Sequence, residues 1–351
     1  MDSLTQIVLG AAVGEIALGK KIGRKAALYG AVLGTLPDLD VLWVKNAVDS
    51  FTEHRSFSHS LIVLFLVSPL FAWLLQRWHP IGIDRQKISF KYLFISVYLV
   101  FATHVLLDWF TVYGTQLFWP LSQFPFGLGS VFIVDPLYTV PFSLFLLITI
   151  VSRKRLPIIL GATLSCSYLL WSLMAQAIQT ERFQAGLQKQ GIDARQSLTL
   201  PMPLNTMLWK NITMVEGGYW VSFRSIFDEE NTPLQSEFFR SNQQVLEPLL
   251  ESEAVQKLTF FTKGFYQVVE RDGEVWFSDL RMGGFGNFVF NFNVGFRDQL
   301  GNIQAHSEVQ SKSLRPKGDQ LNSALSALKN RIFDAEIDMF QFFDGAEMVE
   351  R

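Results

Sequence analysis

Three short stretches of this sequence carry side chains able to ligate a metal ion. His104-Val-Leu-Leu-Asp108 sets an imidazole and a carboxylate four residues apart, so that both project from one helix face. Pro37-Asp38-Leu39-Asp40 places two carboxylates two residues apart, an arrangement that suits ligation where Pro37 opens the helix. His54-Arg55-Ser56-Phe57-Ser58-His59 offers two imidazoles beside a guanidinium, whose planar fork matches a phosphate. His and Asp together suit zinc, manganese or non-haem iron better than calcium. The supply is enough for one divalent ion, or for two about 3.5–4 Å apart, the spacing that clamps phosphoryl oxygens. The expected cofactor is therefore a divalent metal ion, zinc first. Its expected ligands are Asp38, Asp40, His59, His104 and Asp108, with His54 as ligand or general acid, Arg55 holding an anionic group, and Asp135 as ligand or general base.

Each signal also has a plain structural reading. An HxxxD pair can be a buried hydrogen bond, Asp-x-Asp a turn or cap, and Asp135, immediately before Pro136, a helix N-cap. Ser56 and Ser58 read as small hydroxyls near helix ends, and His79 and His306 as ordinary surface residues. What favours the metal is the place the rest of the chain gives these residues.

That place is a membrane. Of 351 residues 49% are hydrophobic and only 18% charged, against about 25% charged in an ordinary soluble domain. Residues 57–76 and 156–178 contain no Asp, Glu, Lys or Arg, while 92–112 and 131–151 contain one acid each, Asp108 and Asp135. Stretches of about 20 apolar residues match the hydrocarbon thickness, so a wholly soluble protein is excluded. Two shorter apolar stretches, 3–19 and 26–44, bring the expectation to about six membrane-inserted helices; Gly10, Gly14, Gly30 and Gly34 are small residues that let two of them approach closely. The first stretch is no secretory signal, since it opens with Asp2 and contains Glu15. Cys166, the only cysteine, sits in an apolar run, which leaves neither a disulfide framework nor a thiolate site. A net charge of −2 gives no footprint for nucleic acid.

Basic residues collect on the cytoplasmic side of spans. Lys20, Lys21, Arg24 and Lys25, then Arg77, Arg85, Lys87 and Lys91, then Arg153, Lys154 and Arg155 occupy alternate connections. The connection 45–56 has only Lys45 and Arg55, and 113–130 has none. This pattern predicts both termini outside, with Asp38, Asp40, His54, His59, His104, Asp108 and Asp135 converging near the outer face. An acid or imidazole in a span costs several kcal/mol unless it is compensated, and apart from Arg55 at the rim no basic residue lies within spans two to six.

After about residue 180 the composition turns soluble. Tyr219–Arg224, Phe265–Val269 and Phe288–Phe292 alternate as half-buried strands, Asp272-Gly273 reads as a hairpin turn, 245–257 and 319–331 have helical periodicity, and 199–210 reads as a loop or linker. The expectation is a polytopic α-helical membrane bundle over 1–180 followed by an extracytoplasmic α+β domain over 181–351 with a mainly antiparallel sheet.

The opening Met1-Asp2-Ser3-Leu4-Thr5, the Pro37–Asp40 and His54–His59 blocks, and His104 with Asp108 together resemble the YdjM-like family of membrane-bound metal-dependent hydrolases over about residues 1–150. Members often carry His after the N-terminal Thr, where this chain has Gln6, a residue able to ligate weakly or to orient a water. The spacing is also loosely similar to zinc phospholipase C and related nucleases. The resemblance implies a hydrolase of the bacterial inner membrane; Arg55 and the likeness to phospholipase C, at a site facing the outer leaflet, add the expectation of a lipid or lipid-linked phosphoester as substrate, with the bilayer as its surroundings. The competing expectation is a non-catalytic membrane protein with a structural metal site and a partner-binding outer domain.

Overall fold

The computed structural model describes residues 1–43, 46–78, 88–284, 286–314, 318–343 and 346–350; Lys45, His79, Arg85 and Lys87 lie outside the described residues. The helices in chain order are α1 (Ser3–Ile22), α2 (Lys25–Thr35), α3 (Ala47–Thr52), α4 (Leu61–Trp78), α5 (Phe90–Trp109), α6 (Pro136–Ser152), α7 (Leu156–Lys189), α8 (Glu253–Thr262) and α9 (Asp319–Arg331). The chain divides into two compact units, Met1–Val44 with Glu53–Trp171 and Lys45–Thr52 with Ser172–Arg351.

The first unit is helical. Asp2 caps α1 by accepting from Thr5 N at 3.1 Å, and the helix ends at Gly23, whose φ of 64° suits glycine. The hairpin of α1 and α2 closes on glycine: a Cβ at Gly10 would stand 2.4 Å from the Gly30 carbonyl oxygen, and one at Gly14 2.5 Å from that of Ala26. The expected span 26–44 is shorter than its apolar run. α2 stops at Thr35, and Pro37, which has no N–H to donate, opens a tight 3₁₀ turn over Pro37–Leu42. The expected span 57–76 likewise starts late. Phe57–His59 is a 3₁₀ turn and the Ser60 hydroxyl accepts from Val63 N at 3.3 Å, so His54–His59 lies on a loop ahead of α4. Ala12, Leu107, Tyr138, Phe142 and Ile158 share one buried cluster, and Leu33, Leu64, Val97 and Phe101 another.

Among the described residues, two helices are long and apolar enough to cross a membrane, Phe90–Trp109 and Leu156–Lys189, with a third if Ala47–His59 and Leu61–Arg77 count as one broken span. Pro136–Ser152 is a shorter apolar helix.

The second unit is rich in antiparallel sheet. Its strands are β1 (Gln196–Pro201), β2 (Leu208–Val215), β3 (Gly218–Ser225), β4 (Gln235–Arg240), β5 (Tyr266–Arg271), β6 (Glu274–Asp279), β7 (Gly283–Gly284), β8 (Asn287–Phe288), β9 (Asn291–Arg297) and β10 (Ile303–Lys312). They pair in the orders β1-β2-β3-β4 and β10-β9-β6-β5, with β7 and β8 as a small ribbon. The β5–β6 turn takes φ values of 54° at Asp272 and 78° at Gly273, as the sequence requires. Of residues 199–210, only 202–207 form a loop; the rest end β1 and begin β2, with Asn205 Oδ1 accepting from Met207 N and Leu208 N, both at 2.8 Å. The helical stretch expected at 245–257 is split. Pro248 lies in a 3₁₀ segment, Gln243–Leu249, and α8 starts only at Glu253.

Candidate metal centre

His104 and Asp108 lie one turn apart near the end of α5, and both are buried. His104 Nδ1 is 2.7 Å from the Gly34 carbonyl. A carbonyl can only accept, so Nδ1 carries a proton, and in the neutral ring Nε2 presents a lone pair. The Gly34 carbonyl is one of those left without an intrahelical partner at the end of α2.

The tautomer of His59 follows by the same counting. Ser58 Oγ donates to Asp40 Oδ2 at 2.6 Å, which uses its single hydrogen. His59 Nδ1, 2.9 Å from Ser58 Oγ, must then be the donor, and in the neutral ring its Nε2 also presents a lone pair. The two Nε2 atoms face each other at 3.2 Å.

Two carboxylate oxygens complete the set. His59 Nε2 is 3.3 Å from both Asp38 Oδ1 and Asp108 Oδ2, and His104 Nε2 is 3.5 Å from both. One ligand atom from each of Asp38, His59, His104 and Asp108 lies within 4.8 Å of all the others. Four acceptors with no donor among them repel unless a cation compensates them. Tetrahedral ligands about 2.0–2.1 Å from a common centre stand roughly 3.3 Å apart, and the measured edges of 3.2–3.5 Å bracket that length. Asp108 Oδ2 is buried without a hydrogen-bond partner among the described residues, as an oxygen reserved for a cation would be.

The other oxygen of Asp108 is differently placed. Oδ1 accepts from Gln6 Nε2 at 2.9 Å and pairs with Arg55 at 3.2 Å, and the Met1 amino nitrogen also donates to it. Arg55, the one counter-ion that the sequence placed at the rim, thus pairs with Asp108 itself, on the oxygen turned away from the imidazoles. Arg55 is itself buried, donates to Thr111 Oγ1 at 3.1 Å, lies 5.1 Å from the centre of the Tyr113 ring, and has an Nε with no partner among the described residues. Its backbone φ of 64° is held by Asp40 Oδ2, which accepts from Arg55 N at 2.9 Å.

Asp40, His54 and Asp135 lie outside the four-residue group. Asp40 Oδ1 is 2.8 Å from His54 Nδ1, an acid orienting an imidazole whose side chain is 19% exposed. Asp135 caps α6, accepting from Leu137 N at 3.0 Å and from the Tyr168 hydroxyl at 2.7 Å. His306 sits in the second unit, with Nε2 2.7 Å from Glu274 Oε2. Sequence reasoning missed the Gly34 carbonyl, Ser58, Thr111 and the Met1 amine. Pro37 was a signal for the first, because a proline just past a helix leaves carbonyls of its last turn unpaired.

Residues 1–179 match the family described as YdjM inner membrane protein. Over 144 residues the chain is 33% identical to the uncharacterized protein YfhP of Bacillus subtilis (strain 168), covering 39% of this chain and 42% of that one. Over 113 residues it is 35% identical to the inner membrane protein YbcI of Escherichia coli (strain K12), covering 31% of this chain and 61% of that one. The chain therefore spans less than two thirds of the length of either relative. No solved structure matches it.

Proposed function

The chain belongs to the YdjM inner membrane protein family, and from that premise we propose that it is a membrane-bound, metal-dependent hydrolase acting on a lipid or lipid-linked phosphoester at the extracytoplasmic leaflet. The family and the apolar helices support an inner-membrane location. The observation that carries the reading is the convergence of four buried or half-buried acceptor atoms from Asp38, His59, His104 and Asp108. A divalent ion, zinc first, supplies Lewis acidity at such a site, polarising a phosphoryl or acyl oxygen and acidifying water.

The chain's own residues supply the rest. His54, oriented by Asp40 and partly exposed, moves a proton to the leaving group or from water. Arg55 aims Asp108, and its Nε, without a partner among the described residues, is a donor left for an anionic group. Asp135 acts in this reading as the anchor of α6. In the proposed topology residues 1–180 form six membrane-inserted helices with both termini outside, and the domain 181–351 stands on the outer side, where it selects head groups.

A second reading rests on the same count. Four protein ligands close a tetrahedral site, as in structural centres, whereas catalytic sites keep one position open. Asp38 supports the hydrolase reading, because its side chain is 21% exposed while those of His59 and Asp108 are fully buried. In the hydrolase reading Asp38 would hold the ion on the side nearest solvent. Purified protein, assayed for metal content and for hydrolysis of a panel of phospholipids and lipid phosphoesters, tests this. His54→Gln should keep the metal and lose about 10²–10⁴ of the rate. Full metal occupancy without turnover of any phosphoester would leave the structural reading, and a cytoplasmic C-terminal reporter would overturn the topology.

A further inference from the structure

Between Asp108 and Asp135 the chain has no charged residue and no histidine. This is the connection between α5 and α6, where a water-exposed loop would ordinarily be polar. Four of its apolar side chains nevertheless face outward: Leu121 is 82% exposed, Phe118 44%, Phe124 42% and Val134 42%. Trp119, of a residue type that gathers at membrane interfaces, lies in the same connection, and Trp109 ends α5 just before it.

Irregular backbone reaches membrane depth only where its polar groups are paired within the protein. Here they are extensively paired. Thr115 and Phe126 exchange both backbone hydrogen bonds, at 2.7 and 3.0 Å, Leu128 N donates to the Trp109 carbonyl at 2.8 Å, and Ser130 N donates to that of Phe110 at 2.9 Å. The connection is also tied to the stretch that bears the candidate centre: Gln116 N donates to the Arg55 carbonyl at 2.9 Å, Leu61 N to that of Leu117 at 3.0 Å, and Ser60 Oγ to that of Trp119 at 2.6 Å.

We propose that residues 109–134 are immersed in the membrane interface, with the bilayer as the surface they bind, so that the metal centre opens beside lipid. α5, long and apolar enough to span, feeds directly into this connection and delivers it to a membrane face. Combined with the hydrolase reading, on which this last step rests, the placement selects an amphiphile that enters with its chains still in the bilayer over a water-borne phosphoester.

The test reads immersion alone. A nitroxide is attached at Leu121→Cys in a Cys166→Ser background, and the full chain is placed in phosphatidylcholine–phosphatidylglycerol vesicles. Collision with oxygen is compared with collision with a water-soluble nickel chelate, using Leu147→Cys on α6 as the lipid-facing reference and Leu300→Cys in the β9–β10 turn as the aqueous one; both leucines are exposed. Oxygen should exceed nickel several-fold at position 121, as at 147. Dominance of nickel would overturn the proposal, and so would weak collision with both, which marks a protein cover such as a second copy. Neither outcome depends on turnover, so the hydrolase reading and this one fail separately.

Discussion

The Nε2 atoms of His59 and His104 stand 3.2 Å apart, while the Nδ1 atom of each is already a donor, to Ser58 Oγ and to the Gly34 carbonyl. Two lone pairs so placed, with two carboxylate oxygens beside them, hold together when a shared cation lies among them. Replacing either imbalances the set. His59→Ala and His104→Ala should each lower the metal content of purified protein at least tenfold by elemental analysis, with helix content by circular dichroism unchanged. Full metal in both variants would mean that the four atoms meet for another reason.

Gln6 acts one step behind the ligands. Its Nε2 donates to Asp108 Oδ1 at 2.9 Å and to the His104 carbonyl at 3.3 Å, so it fixes the carboxylate rotamer that aims Oδ2 at the imidazoles. Loss of such an outer partner typically costs 10- to 100-fold in metal affinity. Gln6→Leu should therefore bind one equivalent but release it to a chelator at about 10- to 100-fold lower competitor concentration. Unchanged competition would reduce Gln6 to packing.

How far these relationships could be read from sequence depends on their range. The i,i+4 geometry of His104 and Asp108 is local and legible. The parting of Asp38 from Asp40 was not, because it depends on the 3₁₀ turn at Pro37–Leu42. At three residues per turn, positions two apart project about 240° apart, so Asp38 meets His59 and His104 while Asp40 meets His54 and Ser58. The β5–β6 hairpin was legible because Asp272-Gly273 needs positive φ at both residues. The end of β1 was not, because Pro201 and Pro203 together read as loop, yet a proline at the end of an edge strand interrupts no ladder.

In the sheet unit, Lys210 gives a pH signature. Its ammonium is buried, donates to the Gly283 carbonyl at 2.5 Å, and is pushed by burial down to about 8, with Asp279 offsetting only part of the shift. The unfolded chain keeps its ordinary value, about 10.4. Between these values the unfolded chain binds the proton that the folded chain has released, so stability rises with pH through that window, and below it the folded chain bears the full cost of the buried charge. In detergent, the melting temperature of the full chain relative to Lys210→Met should climb between pH 8 and pH 10, by at most about 3 kcal/mol in stability. A wild-type-minus-variant difference that stays flat with pH would show that Lys210 titrates at its ordinary value.

The α1–α2 hairpin should control the metal centre from a distance, because both of its contributions come from the end of α2. Gly34 supplies the carbonyl that fixes the His104 tautomer, and the turn after Thr35 carries Asp38. The position of that end depends on backbone contact at Gly30, where a Cβ would stand 2.1 Å from the Gly10 oxygen and 2.9 Å from the Gly14 Cα. Neither neighbour is a flexible side-chain tip, so the helices themselves must separate. Overpacking of this kind costs about 1–3 kcal/mol, and separation moves Gly34 and Asp38 relative to His104. Gly30→Leu should accordingly lose metal affinity at least tenfold as well as stability. Val32→Leu, on the same helix at a position 53% exposed, should lose neither. A destabilised Gly30→Leu with wild-type metal affinity would uncouple the hairpin from the centre.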